Sequence, residues 1–243
     1  MNIEDFDVLK RIITRNTLLL MYEPGAAGDF VTALLSVDPR INGSEAAIEF
    51  HENGRIKAIK EKRKIYINNT INDYEFYNSE SYFDRVKEQI LTDVLSDIVT
   101  SHGKFISKVH PYFNDRKNLE RLSDYISQNY STSPKIMILR DRDICIKNHL
   151  IKNDGYPDDI YYNDEWYEMF SKLKEKHNDI VTIKFEDMIS KPVQTMKKIY
   201  YIMGYTEYDI AHNFSINTNK IKYIYNTYLN NQKVIEPVKR YWT

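Results

Sequence analysis

The chain has a single cysteine, Cys145, so it forms no internal disulfide and no multi-cysteine zinc site. It also lacks an apolar run approaching the roughly 18–20 residues that a membrane-spanning helix needs. The first seven residues are acidic and lack the basic-then-apolar order of a secretory signal. These absences point to a cytoplasmic protein in a reducing compartment, with no membrane partner. No charge excess exists either: 34 Lys+Arg against 35 Asp+Glu give a net charge of -1, which offers no basis for nonspecific nucleic-acid binding. No HExxH or HxxxH pair and no clustered acidic set implies a metal site. Without repeats or a low-complexity linker, the 243 residues read as a single domain over 1–243, long enough to bury a real core.

What is present is organised around residues 18–35, LLLMYEPGAAGDFVTALL. Leu18 to Tyr22 is a short apolar run with the look of a buried strand. The chain then crosses Pro24-Gly25-Ala26-Ala27-Gly28 and enters a helix through Asp29 and Phe30, ending before Asp38-Pro39, because a residue preceding proline is pushed out of helical geometry. A strand, a loop of small residues and a helix N-terminus bring unpartnered N–H groups together, and the helix dipole adds positive charge. Small residues let backbone approach an anion closely, and glycine permits positive φ. The same pattern also serves as an ordinary strand-to-helix turn. No Lys-Ser or Lys-Thr follows Gly28, so this is not the GxxxxGK[ST] triphosphate loop, which argues against a P-loop-type kinase.

Strands and helices then alternate. Apolar spacing predicts a lead-in helix over 2–14, a helix over 81–100, a strand over 104–109 and a helix over 115–129. A strand follows over 135–139, then a helix from 140–143 to about 152 and another over 161–177. A strand over 180–185 comes next. A helix capped by Ser190, with Pro192 in its first turn, closes at Gly204, and a last helix covers 219–229. Residues 41–78 differ: short β segments at 47–50 and 55–59 flank Glu52-Asn53-Gly54, a hairpin signal, and 64–67 adds a third. That stretch reads as a small β-rich insertion beside the site; its basic run, Lys57, Lys60, Lys62, Arg63 and Lys64, is a solvated face or an anion contact. The fold class is therefore α/β, a central parallel sheet flanked by helices on both faces. Twenty tyrosines suit both core and surface, so they do not narrow the function.

Ligands of open parallel sheets bind beyond the carboxyl ends of the strands. The residues leaving those ends are Glu23 to Gly28, His110-Pro111, Arg140 to Asp143 and Glu186-Asp187. Lys108 and His110 are two apart in an extended segment, hence on one face. His110 has the pKa range of a general base and Lys108 the charge to stabilise a transferred anion; a backbone-bonded histidine and a solvated lysine are the plainer alternatives. Arg140 beside a helix start suits a phosphate, with Arg142 assisting and Asp141 or Asp143 capping; a surface Arg-Asp pair fits the same letters.

Taken in chain order, these segments resemble the sulfotransferase family. Residues 18–35 resemble its 5′-phosphosulfate loop, and Phe105-Ile106-Ser107-Lys108-Val109-His110-Pro111 its catalytic-histidine segment. Ile136 to Asp143 followed by Asn148 resembles the 3′-phosphate segment, and Val181-Thr182-Ile183-Lys184-Phe185-Glu186-Asp187-Met188 the tyrosine-glutamate-aspartate-leucine stretch. The resemblance implies a P-loop-like α/β fold and a donor, 3′-phosphoadenosine 5′-phosphosulfate (PAPS), with 3′-phosphoadenosine 5′-phosphate (PAP) as product and no metal. It implies His110 as base, Lys108 as charge stabiliser, Pro24 to Phe30 as the 5′ cradle, and Arg140 with Asn148 at the 3′-phosphate. Glu186 and Asp187 would support the fold. The acceptor would be a hydroxyl or amine of a small molecule or glycan. Gly25 stands where the family carries a lysine, Asn148 where it carries a serine, and 232–243 lacks its glycine-rich basic loop, retaining only Lys233, Lys239 and Arg240. With the loop lysine gone, a nucleotide-binding module without transfer activity is the alternative.

Overall fold

A computed structural model describes residues 8, 11–12, 14–22, 26, 28–41, 47–50, 56–59, 104–109, 119–145 and 164–230. The elements in order are β1 (Thr17–Tyr22), α1 (Gly28–Leu35), β2 (Ala47–Phe50), β3 (Ile56–Ile59), β4 (Phe105–Val109) and α2 (Leu119–Tyr130). They continue with β5 (Lys135–Leu139), α3 (Asp164–Lys176), β6 (Ile180–Lys184), α4 (Phe185–Ser190), α5 (Pro192–Ile202) and α6 (Glu207–Asn230). The expected third β segment at 64–67 and the helix over 81–100 lie outside the described residues, as do 2–7, 9–10 and 13 of the lead-in helix.

Every residue of β1 is buried, as an apolar run without polar alternation requires of a strand covered on both faces. The main sheet runs β4-β1-β5-β6, with every pairing parallel. Alternation along the strands divides the core in two. Leu18, Leu20 and Tyr22 join Ile136, Ile138 and Ile183 on the face holding Phe30, Met188, Ile199 and Tyr225. Leu19, Met21, Met137 and Ile180 pack on the other face against Ile126, Tyr130, Phe170 and Leu173. Helices therefore cover both faces of a parallel α/β sheet.

The strand order fixes where ligands have room. From β1 the chain continues to β4 on one side, and from β5 it continues to β6 on the other. The connections leaving β1 and β5 diverge, and ligands of open α/β sheets bind at such a switch point. The antiparallel β2–β3 hairpin, paired Ala47 with Ile59 and Phe50 with Ile56, lies with β3 beside α1.

The aromatic ring at the end of β1 lies on the first residue of α1, a glycine. A Cβ added at Gly28 would sit 2.2 Å from Tyr22 Cε1 and 2.3 Å from Cδ1. Gly28 is already the first residue of α1, and the positive φ among the described glycines belongs to Gly204, at 85°. The small side chain is thus required by Tyr22, not by a left-handed turn.

The C-terminal half differs from the pattern in two places. α6 begins at Glu207, well before the expected 219, because Thr206 and Asp209 form a capping box. Thr206 N–H donates to Asp209 Oδ2 at 3.1 Å, and Asp209 N–H to Thr206 Oγ1 at 3.2 Å. Buried Asn213 obscured the apolar period; its Nδ2 donates to the Tyr200 hydroxyl at 2.9 Å. Ser190 does not cap α5 but ends the short helix α4, its Oγ donating to Glu186 O at 2.7 Å, while Lys191 holds the junction. Pro192 opens α5 and Gly204 closes it as expected, with Gly204 N–H donating to Tyr201 O at 2.9 Å.

A polar clamp holds α6 to the far end of α1. Arg40 donates to the buried Asp38 carboxylate through Nε at 3.0 Å and Nη2 at 2.7 Å, and to Asp209 Oδ1 through Nη1 at 2.6 Å. Its guanidinium lies 4.6 Å over the Tyr205 ring. The Tyr200 hydroxyl donates to Leu35 O at 3.2 Å. Burial, reinforced by the Asp38 charge, pushes the Tyr200 and Tyr205 phenols well above their ordinary range.

Two outcomes test these contacts. Gly28→Ala overpacks against Tyr22 and should cost about 1–3 kcal/mol in urea unfolding. In a Tyr22→Ala background the same change should become neutral or stabilising, since alanine favours a helix over glycine. The second concerns alkaline pH. A phenol with a raised folded value contributes stability fully below its unfolded value of about 10, and that contribution is lost as pH rises above it. Unfolding free energy should therefore fall by up to about 1.4 kcal/mol per pH unit for each of the two phenols above pH ~10. Tyr200→Phe should roughly halve that slope.

Candidate functional site

The carboxyl edge of the sheet gathers several of the residues singled out by sequence. Tyr22 ends β1, and after the loop α1 begins with Gly28, Asp29 and Phe30. The first N–H groups of α1 have no intrahelical acceptor, so an anion there meets donors and the positive end of the dipole. Ala26, inside the loop, is buried. Pro24, Gly25 and Ala27 lie outside the described residues.

On the adjacent strand, Arg140 is the first residue past β5 and is 5% exposed. Its guanidinium carbon sits 4.2 Å over the centroid of the Phe185 ring. A cation in so little water is weakly screened and acts strongly on a nearby anion. Asp141 takes the capping role left open between it and Asp143: Ile144 N–H donates to its Oδ1 at 3.1 Å and Cys145 N–H to its backbone carbonyl at 3.0 Å. The backbone is helical over 142–145; Asn148 lies outside the described residues.

β4 brings the third segment to the same edge. Lys108 is paired with Leu20 and Val109 with Met21, one residue short of the end of β1. His110 follows Val109 in the chain and lies outside the described residues. β6 delivers Phe185 and then Glu186 and Asp187 in the first turn of α4. The carbonyl of Asp187 accepts from Lys191 N–H at 2.8 Å and Thr195 Oγ1 at 3.0 Å, which ties this turn to α5.

The sequence did not mark the aromatic cluster beneath these segments. Phe30 stacks on Tyr228 with ring centroids 4.0 Å apart and planes 13° from parallel. Phe185 meets both rings edge-on, at 6.3 Å from each. Tyr225, 6.4 Å from Phe30, donates its hydroxyl to Ile189 O. Phe30, Phe185 and Tyr228 are far apart in sequence, so no local pattern could have joined them. Among the described residues no group of three or more His, Cys, Asp or Glu side chains could hold a metal ion, and no helix is long and apolar enough to cross a membrane.

No protein-family model matches the chain, and no curated protein sequence matches it. Solved structures do align with it. A sulfotransferase from Alicyclobacillus acidocaldarius is 11% identical over 89% of this chain and 93% of its own, with a TM-score of 0.44. Sulfotransferase STF9 from Mycobacterium avium is 11% identical over 98% of this chain and 82% of its own, with a TM-score of 0.45. Retinol dehydratase, solved in complex with androsterone and the inactive cofactor PAP, is 12% identical over 98% of this chain and 76% of its own, with a TM-score of 0.41.

Proposed function

We propose that the chain binds PAPS at the carboxyl edge of its sheet and transfers the sulfuryl group to a hydroxyl or amine of a small molecule or glycan. The observation that carries this reading is the switch point between β1 and β5, where the N-terminus of α1 and the buried cation Arg140 stand at adjacent strand ends. Two anion-binding features on neighbouring strands suit a nucleotide with separate 3′ and 5′ anionic groups.

In this reading the backbone of residues 24–30 cradles the 5′-phosphosulfate, and Arg140 with Asn148 takes the 3′-phosphate. His110 accepts the proton of the acceptor O–H or N–H as the new bond to sulfur forms. The bond from sulfur to the bridging oxygen breaks in line, and its electron pair leaves on the 5′-phosphate of PAP. Lys108 stabilises the charge on the transferring group or bridging oxygen, replacing the cation that Gly25 does not provide. The single domain over 1–243 presents its 41–78 insertion and 153–164 as walls of the acceptor pocket, and the protein works in the cytoplasm without nucleic-acid or membrane partners. Gly25 favours a second reading, a nucleotide-binding module without transfer activity.

Titration calorimetry with PAP should show saturable binding; no binding at millimolar ligand overturns both readings. His110→Ala should then lower turnover by about a hundredfold or more while leaving the PAP dissociation constant unchanged. PAP binding without sulfated product across a broad acceptor panel selects the inactive module. Full turnover in the variant removes His110 from the base role.

A further inference from the structure

Arg140 is held by packing. Its guanidinium face is covered by Phe185 at 4.2 Å, and the Phe185 ring is only 1% exposed. That ring is in turn gripped edge-on by Phe30 and Tyr228, which stack on each other at 4.0 Å. Phe30 belongs to the first turn of α1, and Tyr228 to the last turns of α6. The cluster thus joins the segment that carries the cation to the segment that offers helix N–H groups. A guanidinium held over a ring loses part of its freedom, so the directions open to its donors are restricted; a compact ammonium is restricted less.

We propose that Phe185 is a positioning residue that sets the orientation of Arg140 relative to the N-terminus of α1. It thereby determines selectivity for nucleotides carrying both a 3′ and a 5′ anionic group over those carrying the 5′ group alone. This inference rests on the nucleotide-binding reading above. Phe30 and Tyr228 act through the same ring: Phe30 fixes Phe185 to α1, and Tyr228 buttresses the pair from α6. A ligand bridging both features benefits from their fixed separation because the protein has already lost that freedom. A ligand touching only α1 does not.

The test measures dissociation constants for PAP and adenosine 5′-monophosphate by calorimetry on the full chain, for the parent protein, Phe185→Leu, Phe185→Tyr and Arg140→Lys. Thermal melts confirm that each variant is folded. Phe185→Leu should weaken PAP binding about tenfold, matching loss of a desolvated cation–π contact, and leave monophosphate binding unchanged. Phe185→Tyr, which keeps the ring face, should restore the parent ratio of the two constants. In an Arg140→Lys background, Phe185→Leu should change that ratio no further. If Phe185→Leu fails to fold, the comparison of Phe185→Tyr with Arg140→Lys carries the test: the first must keep the parent ratio and the second must lose it.

An unchanged PAP constant in Phe185→Leu overturns the inference while the nucleotide reading stands. Equal weakening of both ligands overturns it in favour of a purely structural ring. Absence of PAP binding by the parent protein instead overturns the nucleotide reading, and with it this selectivity.

Discussion

β1 hydrogen-bonds to β4 on one side and to β5 on the other, while helices cover both of its faces, so the strand has no direction in which to meet water. The other elements follow from that burial. Parallel neighbours require crossover connections, and helices within those connections supply the two apolar layers that Leu18, Leu20 and Tyr22, and then Leu19 and Met21, demand. With the strand order fixed, the chain diverges at the carboxyl ends of β1 and β5. The position of the candidate site is thus a consequence of covering one apolar strand.

α6 links the two ends of α1. Its 24 residues span roughly 36 Å at the α-helical rise. Near its start, Asp209 closes on Arg40, which also holds Asp38, just beyond the end of α1. Near its finish, Tyr225 and Tyr228 receive Phe30 from the first turn of α1. One end uses charge, with the half-buried Arg40 set between the buried Asp38 and the partly exposed Asp209; the other uses ring faces. Asp38 is 1% exposed, so displacing Arg40 leaves a buried carboxylate without its cation, at high cost. The Asp38–Arg40–Asp209 clamp accordingly favours one docking of α6, and the aromatic end transmits it to the carboxyl edge.

The tyrosines, uninformative by number, take on specific tasks in three dimensions. Tyr22 caps Gly28, Tyr200 bridges Leu35 O and Asn213, Tyr225 bonds Ile189 O, and Tyr228 stacks on Phe30. Each combines a large apolar body with packing or a hydroxyl bond to a neighbouring element. This explains how α6 stays docked although its sequence between Glu207 and Asn219 shows little apolar period. Asn213 occupies a buried position where an apolar residue would have announced the helix.

The sequence by itself determined the features that depend on near neighbours. An apolar run marked β1 as a buried strand, Asn53-Gly54 predicted the β2–β3 hairpin, and Pro192 with Gly204 bounded α5, all through local backbone and burial preferences. The parallel α/β class followed from alternation of element types. Only the tertiary structure decided the strand order, the role of Gly28 under the Tyr22 ring, and the stack that joins Phe185 to Arg140. Those contacts join residues remote along the chain, and any Phe, Tyr or Arg has the same local preferences whether or not its partner exists. Packing against a distant segment is a property of the assembled core, so it leaves no period or motif to read.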